Sequence, residues 1–238
     1  VAKERVTVCL PPCAPDDLRP ALAAAMAPFE YDAQTDRPDE EWQGEWDYWY
    51  VSSGGLEFTV RSGHEDDPLI VRDGRGEDWP PRPRELCDGG PKGLLDLDTG
   101  RRHAAEAAGR RWDTWRAFSA LHPPSLSYSY FRTKSHEDPG AYPEHRVLED
   151  FARQPVIRAI RDDPALDERF GFDPVGWFGE DRDAFVKRDV DAVLPTIALL
   201  TLDGRWLSGG SHPYDVYFNE YVDSLPDDTI LVRVLYHG

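Results

Sequence analysis

Residues 194–236 constrain the fold more than any other stretch, because an apolar run, a tight turn, a short return, an amphipathic helix and a second apolar run follow one another almost without spacers. Residues 194–202 read as a buried strand, Asp203-Gly204 as a hairpin turn, 205–207 as the returning strand, 214–225 as a helix and 229–236 as a strong final strand. The beginning of the chain carries a matching strand and helix. Residues 5–10 alternate as a half-buried strand and stop at Pro11-Pro12, since consecutive prolines cannot continue a ladder. Leu18, Leu22, Ala25 and Met26 then follow at helical spacing up to Pro28, with Asp16 or Asp17 placed to cap the first turn.

Between these ends the pattern changes several times. Residues 31–45 are polar and acidic around Pro38 and read as an exposed loop. Residues 46–51 and 56–61, on either side of Ser52-Ser53-Gly54-Gly55, predict a hairpin. Residues 64–91 are rich in Asp, Gly and Pro, which predicts a loop with one edge strand at Leu69-Ile70-Val71. Residues 94–121 turn helical, with Ala104, Ala108, Trp112, Trp115 and Phe118 near helical spacing, and Pro123-Pro124 closes the run. A second helical stretch over 142–160 should kink or end at Pro155. The succession predicts an α+β chain forming a single domain, 1–238: a ferredoxin-like antiparallel sheet built from the N- and C-terminal parts, with a helical insertion or subdomain at about 94–165.

Eight Trp, ten Tyr and ten Phe concentrate large buried areas in few side chains, which offsets a hydrophobic fraction of only 40%. Acidic residues outnumber basic ones 45 to 27, and the resulting net charge of −18 repels phosphate backbones. Nucleic acid is therefore disfavoured as a partner. Arg101, Arg102, Arg110, Arg111 and Arg116 do not change this, because a helix spreads them around its circumference. The acidity has another use: carboxylates spaced like phosphates would mimic nucleic acid and inhibit a DNA-binding protein. Three cysteines, an odd number, argue against a secreted disulfide framework. No stretch reaches the roughly 18 apolar residues of a membrane helix and no apolar leader precedes the first strand, so a cytoplasmic chain without a membrane partner is expected.

Common catalytic signatures are missing: no Walker A pattern, no Gly-x-Gly-x-x-Gly, no Gly-x-Ser-x-Gly and no His-Glu-x-x-His occurs. A divalent metal is the main route to an enzyme. His64 with Asp66, His136 and His145 with neighbouring carboxylates would be its ligands, although their spacing matches no ligand rhythm and their loops fit solvated charge equally well. No cofactor is otherwise called for. Ser208 or Ser211 with His212, and Cys9 with His237, are the remaining pairs with nucleophilic potential. The densest feature is aromatic: Trp42, Trp46, Tyr48, Trp49 and Tyr50. Strand alternation would set Trp46, Tyr48 and Tyr50 on one face and Asp47 and Trp49 on the other. One face reads as core, and the other as core under the helical insertion or as an exposed groove for a ligand or partner.

The motifs Ala27-Pro28-Phe29, Trp46-Asp47-Tyr48-Trp49-Tyr50, Ser53-Gly54-Gly55-Leu56, Gly176-Trp177-Phe178-Gly179 and Thr201-Leu202-Asp203-Gly204-Arg205-Trp206 occur in an order that resembles a group of proteins encoded by actinobacterial genomes and their phages. The group's Gly-Gly-Arg-Trp is Gly54-Gly55-Leu56-Glu57 here, which removes any anion-binding role for that Arg. The resemblance implies one fold over most of the chain and an accessory role in phages and mobile elements. Together these readings predict a non-enzymatic interaction protein binding a protein or small-molecule ligand through its aromatic groove and acidic surface. The alternatives are a metal-dependent hydrolase or nucleotide-processing enzyme and the nucleic-acid mimic.

Overall fold

The computed structural model describes residues 3–31, 44–72 and 82–238. The chain forms two compact units, Val1–Arg101 with Asp191–Gly238, and Arg102–Val190.

The first unit is organised by its two longest strands. β1 (Lys3–Leu10) runs antiparallel to β8 (Ile230–His237) along its whole length and parallel to β6 (Ala198–Leu200) on its other side. β6 turns back into β7 (Trp206–Ser208), with Gly204 at φ 76 supplying the left-handed turn residue anticipated from Asp203-Gly204. The far edge of β8 is divided between β2 (Tyr48–Val51), which pairs with 234–237, and β5 (Gly89–Pro91), which pairs with 230–232. At Gly89 the backbones come so close that a Cβ would lie 2.1 Å from Leu231 O. The result is a mixed α/β unit with an open sheet in the order β2-β8-β1-β6-β7, contributed by both ends of the chain. Its one parallel pair, β1 with β6, leaves the ferredoxin-like arrangement unconfirmed.

Alternation sorts the strand residues onto two faces. Val6, Val8, Val232, Val234 and Tyr236 pack under α1 (Leu18–Met26), whose Leu22 and Met26 are fully buried. Cys9, Leu199 and Leu231 pack on the opposite face with Phe218 and Val222 of α9 (His212–Ser224). Burying each such side chain stabilises the unit by about 1.5–3 kcal/mol. Covering on both faces is why β8 reads as an almost unbroken apolar run.

The hairpin expected from 46–51 and 56–61 is not formed. Gly54 (φ 53) and Gly55 (φ 94) carry the chain out of β2 in left-handed conformations, and β3 (Phe58–Thr59) pairs instead with β4 (Leu86–Cys87) in a separate two-stranded sheet. Phe58 is buried there in the second core, so the alternation that suggested the hairpin reflects burial rather than pairing with β2. Leu69-Ile70-Val71 contributes a single bridge, Val71 to Gly89, rather than an edge strand.

Helix α2 (Asp98–Ser119) leads into the second unit, which continues with α3 (Tyr128–Glu137), α4 (His145–Ala152), α5 (Pro155–Arg161), α6 (Pro164–Phe170), α7 (Pro174–Trp177) and α8 (Arg182–Asp191). Pro155, Pro164 and Pro174 each open a helix, where a missing N–H costs nothing, and Asp163 and Asp173 cap the second and third of these. The helical region therefore reaches residue 190 rather than about 165. Its core is aromatic: Phe151 and Phe185 are fully buried, and Phe178 stacks on Phe185 at 5.0 Å.

Candidate binding site

The site begins with a defect in β2. Tyr48 is the register partner of His237, yet Asp47 N–H also donates to His237 O at 3.0 Å, so two residues oppose one, as in a β-bulge. The extra residue resets the alternation. Trp46 falls on the α1 face, where its indole N–H donates to Met26 O at 3.1 Å and its ring meets Trp49 edge-on at 6.4 Å. Asp47, Tyr48 and Tyr50 take the other face, so Trp46 does not share a face with Tyr48 and Tyr50, and Asp47 does not share one with Trp49. Trp42 lies outside the described residues.

On that other face, cross-strand register lines up two rows of side chains over β1, β8 and β2. The first is Lys3, His237 and Tyr48, and the second is Arg5, Leu235 and Tyr50. Tyr48 is 44% exposed and stacks on His237 at 5.1 Å, while His237 Nδ1 lies 2.7 Å from Asp47 Oδ1. Lys3 Nζ donates to Tyr50 Oη at 3.2 Å and sits 4.9 Å from the Tyr50 ring centroid; this hydroxyl raises the lysine pKa above its ordinary value. Arg5 reaches across Leu235 to the carbonyls of Ser53 at 3.1 Å and Gly54 at 2.5 Å.

Beside Tyr50 opens a cleft of about 870 Å³, within the roughly 300–1,000 Å³ range of ligand sites. Leu18 and Leu22 of α1 form one wall, Tyr50, Val51 and the Gly54-Gly55 turn another, and Arg19, Arg72 and Glu57 supply charge. Arg19 is exposed, and Arg72 donates only to the carbonyls of Glu65 at 3.0 Å and Arg84 at 2.6 Å. Neither makes an ion pair among the described residues.

The turn that forms the second wall is held from beneath by Asp88, whose side chain is inaccessible. It accepts from Ser53 N at 2.7 Å, Ser53 Oγ at 2.6 Å and Arg82 Nη1 at 2.5 Å. The adjacent Arg233 is almost fully buried, with its guanidinium 4.1 Å from the Phe58 ring centroid and Nη2 donating to Leu194 O at 3.0 Å; desolvation lowers its pKa to about 10.

The remaining candidates lie elsewhere. His64 and Asp66 are exposed in the first unit, where Asp66 pairs with Arg84, while His136 and His145 are exposed in the second. Among the described residues no group of three or more His, Cys, Asp or Glu is arranged to hold a metal ion. Cys9 faces Leu231 and His237 faces Lys3, so six residues of strand, roughly 20 Å, separate the proposed pair. Burial pushes the Cys9 thiol up to about 12, the reverse of what a nucleophile needs. His212 Nε2 lies 3.1 Å from Asp191 Oδ2 and bonds to neither Ser208 nor Ser211. Among the described residues no helix is long and apolar enough to cross a membrane.

Sequence reasoning singled out Tyr48 and Tyr50 but missed Lys3, Arg5, Arg19, Arg72 and Asp88. The period-two placement of Lys3, Arg5 and Thr7 opposite Val6 and Val8 was the available signal for a polar sheet face. No protein-family model, curated protein or solved structure matches this chain.

Proposed function

We propose that this chain is a non-enzymatic binding protein that captures a small ligand or a segment of a partner protein in the cleft beside Tyr50. The observation that carries the reading is the cleft itself: apolar on the α1 side, aromatic at Tyr50, and bordered by Arg19 and Arg72 in a chain of net charge −18. A ligand gains burial from the first two and orientation from the third. The wall turn is already anchored by the Ser53–Asp88 bonds, so binding need not order it and little of the interaction is lost to that entropy. The resemblance of the motif order to phage-encoded and actinobacterial proteins goes with an accessory role in the cytoplasm, exerted by binding rather than turnover.

Thermal shift of the full chain against small carboxylates, phosphates, nucleotides and synthetic peptides tests this, followed by calorimetry on Tyr50→Ala. At one hundred times its Kd a ligand should stabilise the native state by about 2.7 kcal/mol. The reading predicts at least a tenfold affinity loss in Tyr50→Ala, and no chelator-reversible stabilisation by Zn²⁺ or Mg²⁺. Turnover of the ligand, or binding unaffected by Tyr50→Ala, would overturn it.

A further inference from the structure

β2 ends its sheet, so one of its edges has no strand partner among the described residues. Hydrogen-bond parity identifies the groups left on that edge. Ser52 N–H donates to Arg233 O at 3.1 Å, and the 50–235 and 48–237 pairs follow in the same register. Residues 48, 50 and 52 therefore direct their backbone groups to β8, whereas Trp49 and Val51 direct N–H and C=O outward. Val51 is also a wall of the cleft, so this outward pair of groups opens directly into it.

A compact ligand would leave that backbone donor and acceptor to water. An extended chain would use them, and its side chains would alternate between the α1 wall, with the half-buried Leu18, and the Tyr50 side. The charges then select among peptides. Arg19 and Arg72 lack ion-pair partners among the described residues, while Glu57, the one carboxylate on the wall, lies 3.9 Å from Arg82. A local excess of positive charge within an acidic surface favours acidic side chains and repels basic ones. Resting on the binding function proposed above, we infer that the cleft takes an extended acidic peptide segment, which adds as a strand to the open edge of β2.

The test uses the full chain and two fluorescein-labelled pools of random heptapeptides, one with Asp or Glu at alternate positions and one with Lys there, read by fluorescence anisotropy. The acidic pool should bind saturably, and the Lys pool at least tenfold more weakly. Arg19→Glu with Arg72→Glu should cut acidic-pool binding at least tenfold. Val51→Pro removes the outward N–H at an edge position where proline is tolerated, and should do the same. N-methylation of alternate peptide amides probes the identical bonds without altering the protein, so a misfolded Val51→Pro chain would not decide the matter. Equal binding of the Lys pool, indifference to N-methylation, or tighter arginine-dependent binding of a thymidine oligonucleotide would overturn the inference. Should no peptide bind while a small ligand still binds in a Tyr50-dependent way, strand addition falls and the binding function stands. Should neither bind, both fall.

Discussion

Replacing Asp88 with alanine should destabilise the first unit by about 3–5 kcal/mol, the cost of breaking a buried charge pair by removing one partner. The geometry explains the size. Asp88 accepts two hydrogen bonds from Ser53 and one from Arg82, and its side chain has no solvent access while that of Arg82 keeps 9%. After the substitution the Ser53 hydroxyl has only the long 3.4 Å contact to Cys87 O, and its N–H loses its acceptor. Ser53→Ala alone removes one bond to a charged group and should cost about 1.5–3 kcal/mol. The double variant should cost about as much as Asp88→Ala, because the hydroxyl's value depends on the carboxylate. A chain with two compact units need not unfold in one step, so the readout should be local. Amide exchange at Val232 and Val234, in the strand flanking the pair, should lose roughly 10²- to 10⁴-fold in protection. A loss below tenfold, or additive effects of the two substitutions, would refute the assignment of Asp88 as the anchor of the cleft wall.

Gly89→Ala puts a methyl group 2.1 Å from Leu231 O and 2.8 Å from Val232 Cα, both main-chain atoms, and should cost at least about 2–3 kcal/mol by urea unfolding with β5 displaced from β8. Phe185→Ala, at a fully buried position beside Phe178, should cost about 3–5 kcal/mol and raise amide exchange in the second unit while leaving Val232 and Val234 protected. Burial raises Cys9 to about 12 and Cys87 to about 11 from the ordinary thiol value near 9.0. Folding thus favours the protonated thiols: their contribution is intact below pH 9 and is lost as pH rises toward 11–12, where the folded thiols also ionise. Between those limits stability should fall by about 1.4 kcal/mol per pH unit for each thiol, and the slope should flatten in Cys9→Ala with Cys87→Ala. A thiol reagent at neutral pH should label only Cys13, which is half-buried, until the chain is denatured.

The parts legible in the sequence were those where local pattern and burial agree. β1, α1, the β6–β7 turn, α9 and β8 each carry a periodicity that one or two packed faces enforce. The β2 assignment failed in its pairing and its facing because each depends on a distant residue. His237 creates the bulge at Asp47, and β8 draws Tyr48–Val51 away from the expected hairpin partner. The short helices from Pro164 to Trp177 escaped notice because neither is long enough to display a stripe, and their prolines mark helix starts as well as stops. At the candidate site, the tyrosines were conspicuous by density. Arg19, Arg72 and Asp88 acquire meaning only once strands far apart in sequence bring them to one turn.

The pairing of Lys3 with His237 fixes an order of events during synthesis. Among the described strands β1 is made before the others, and the partner lying along its whole length is made after them. The sheet therefore stays open, with the apolar residues of β1 waiting, until residues 230–237 have left the ribosome. Residues 102–190 are contiguous and complete well before then, so the helical unit is available as a folded body while the sheet is still missing its central neighbour. Such a chain should be most exposed to aggregation, and most dependent on a chaperone, in the interval between those two closures.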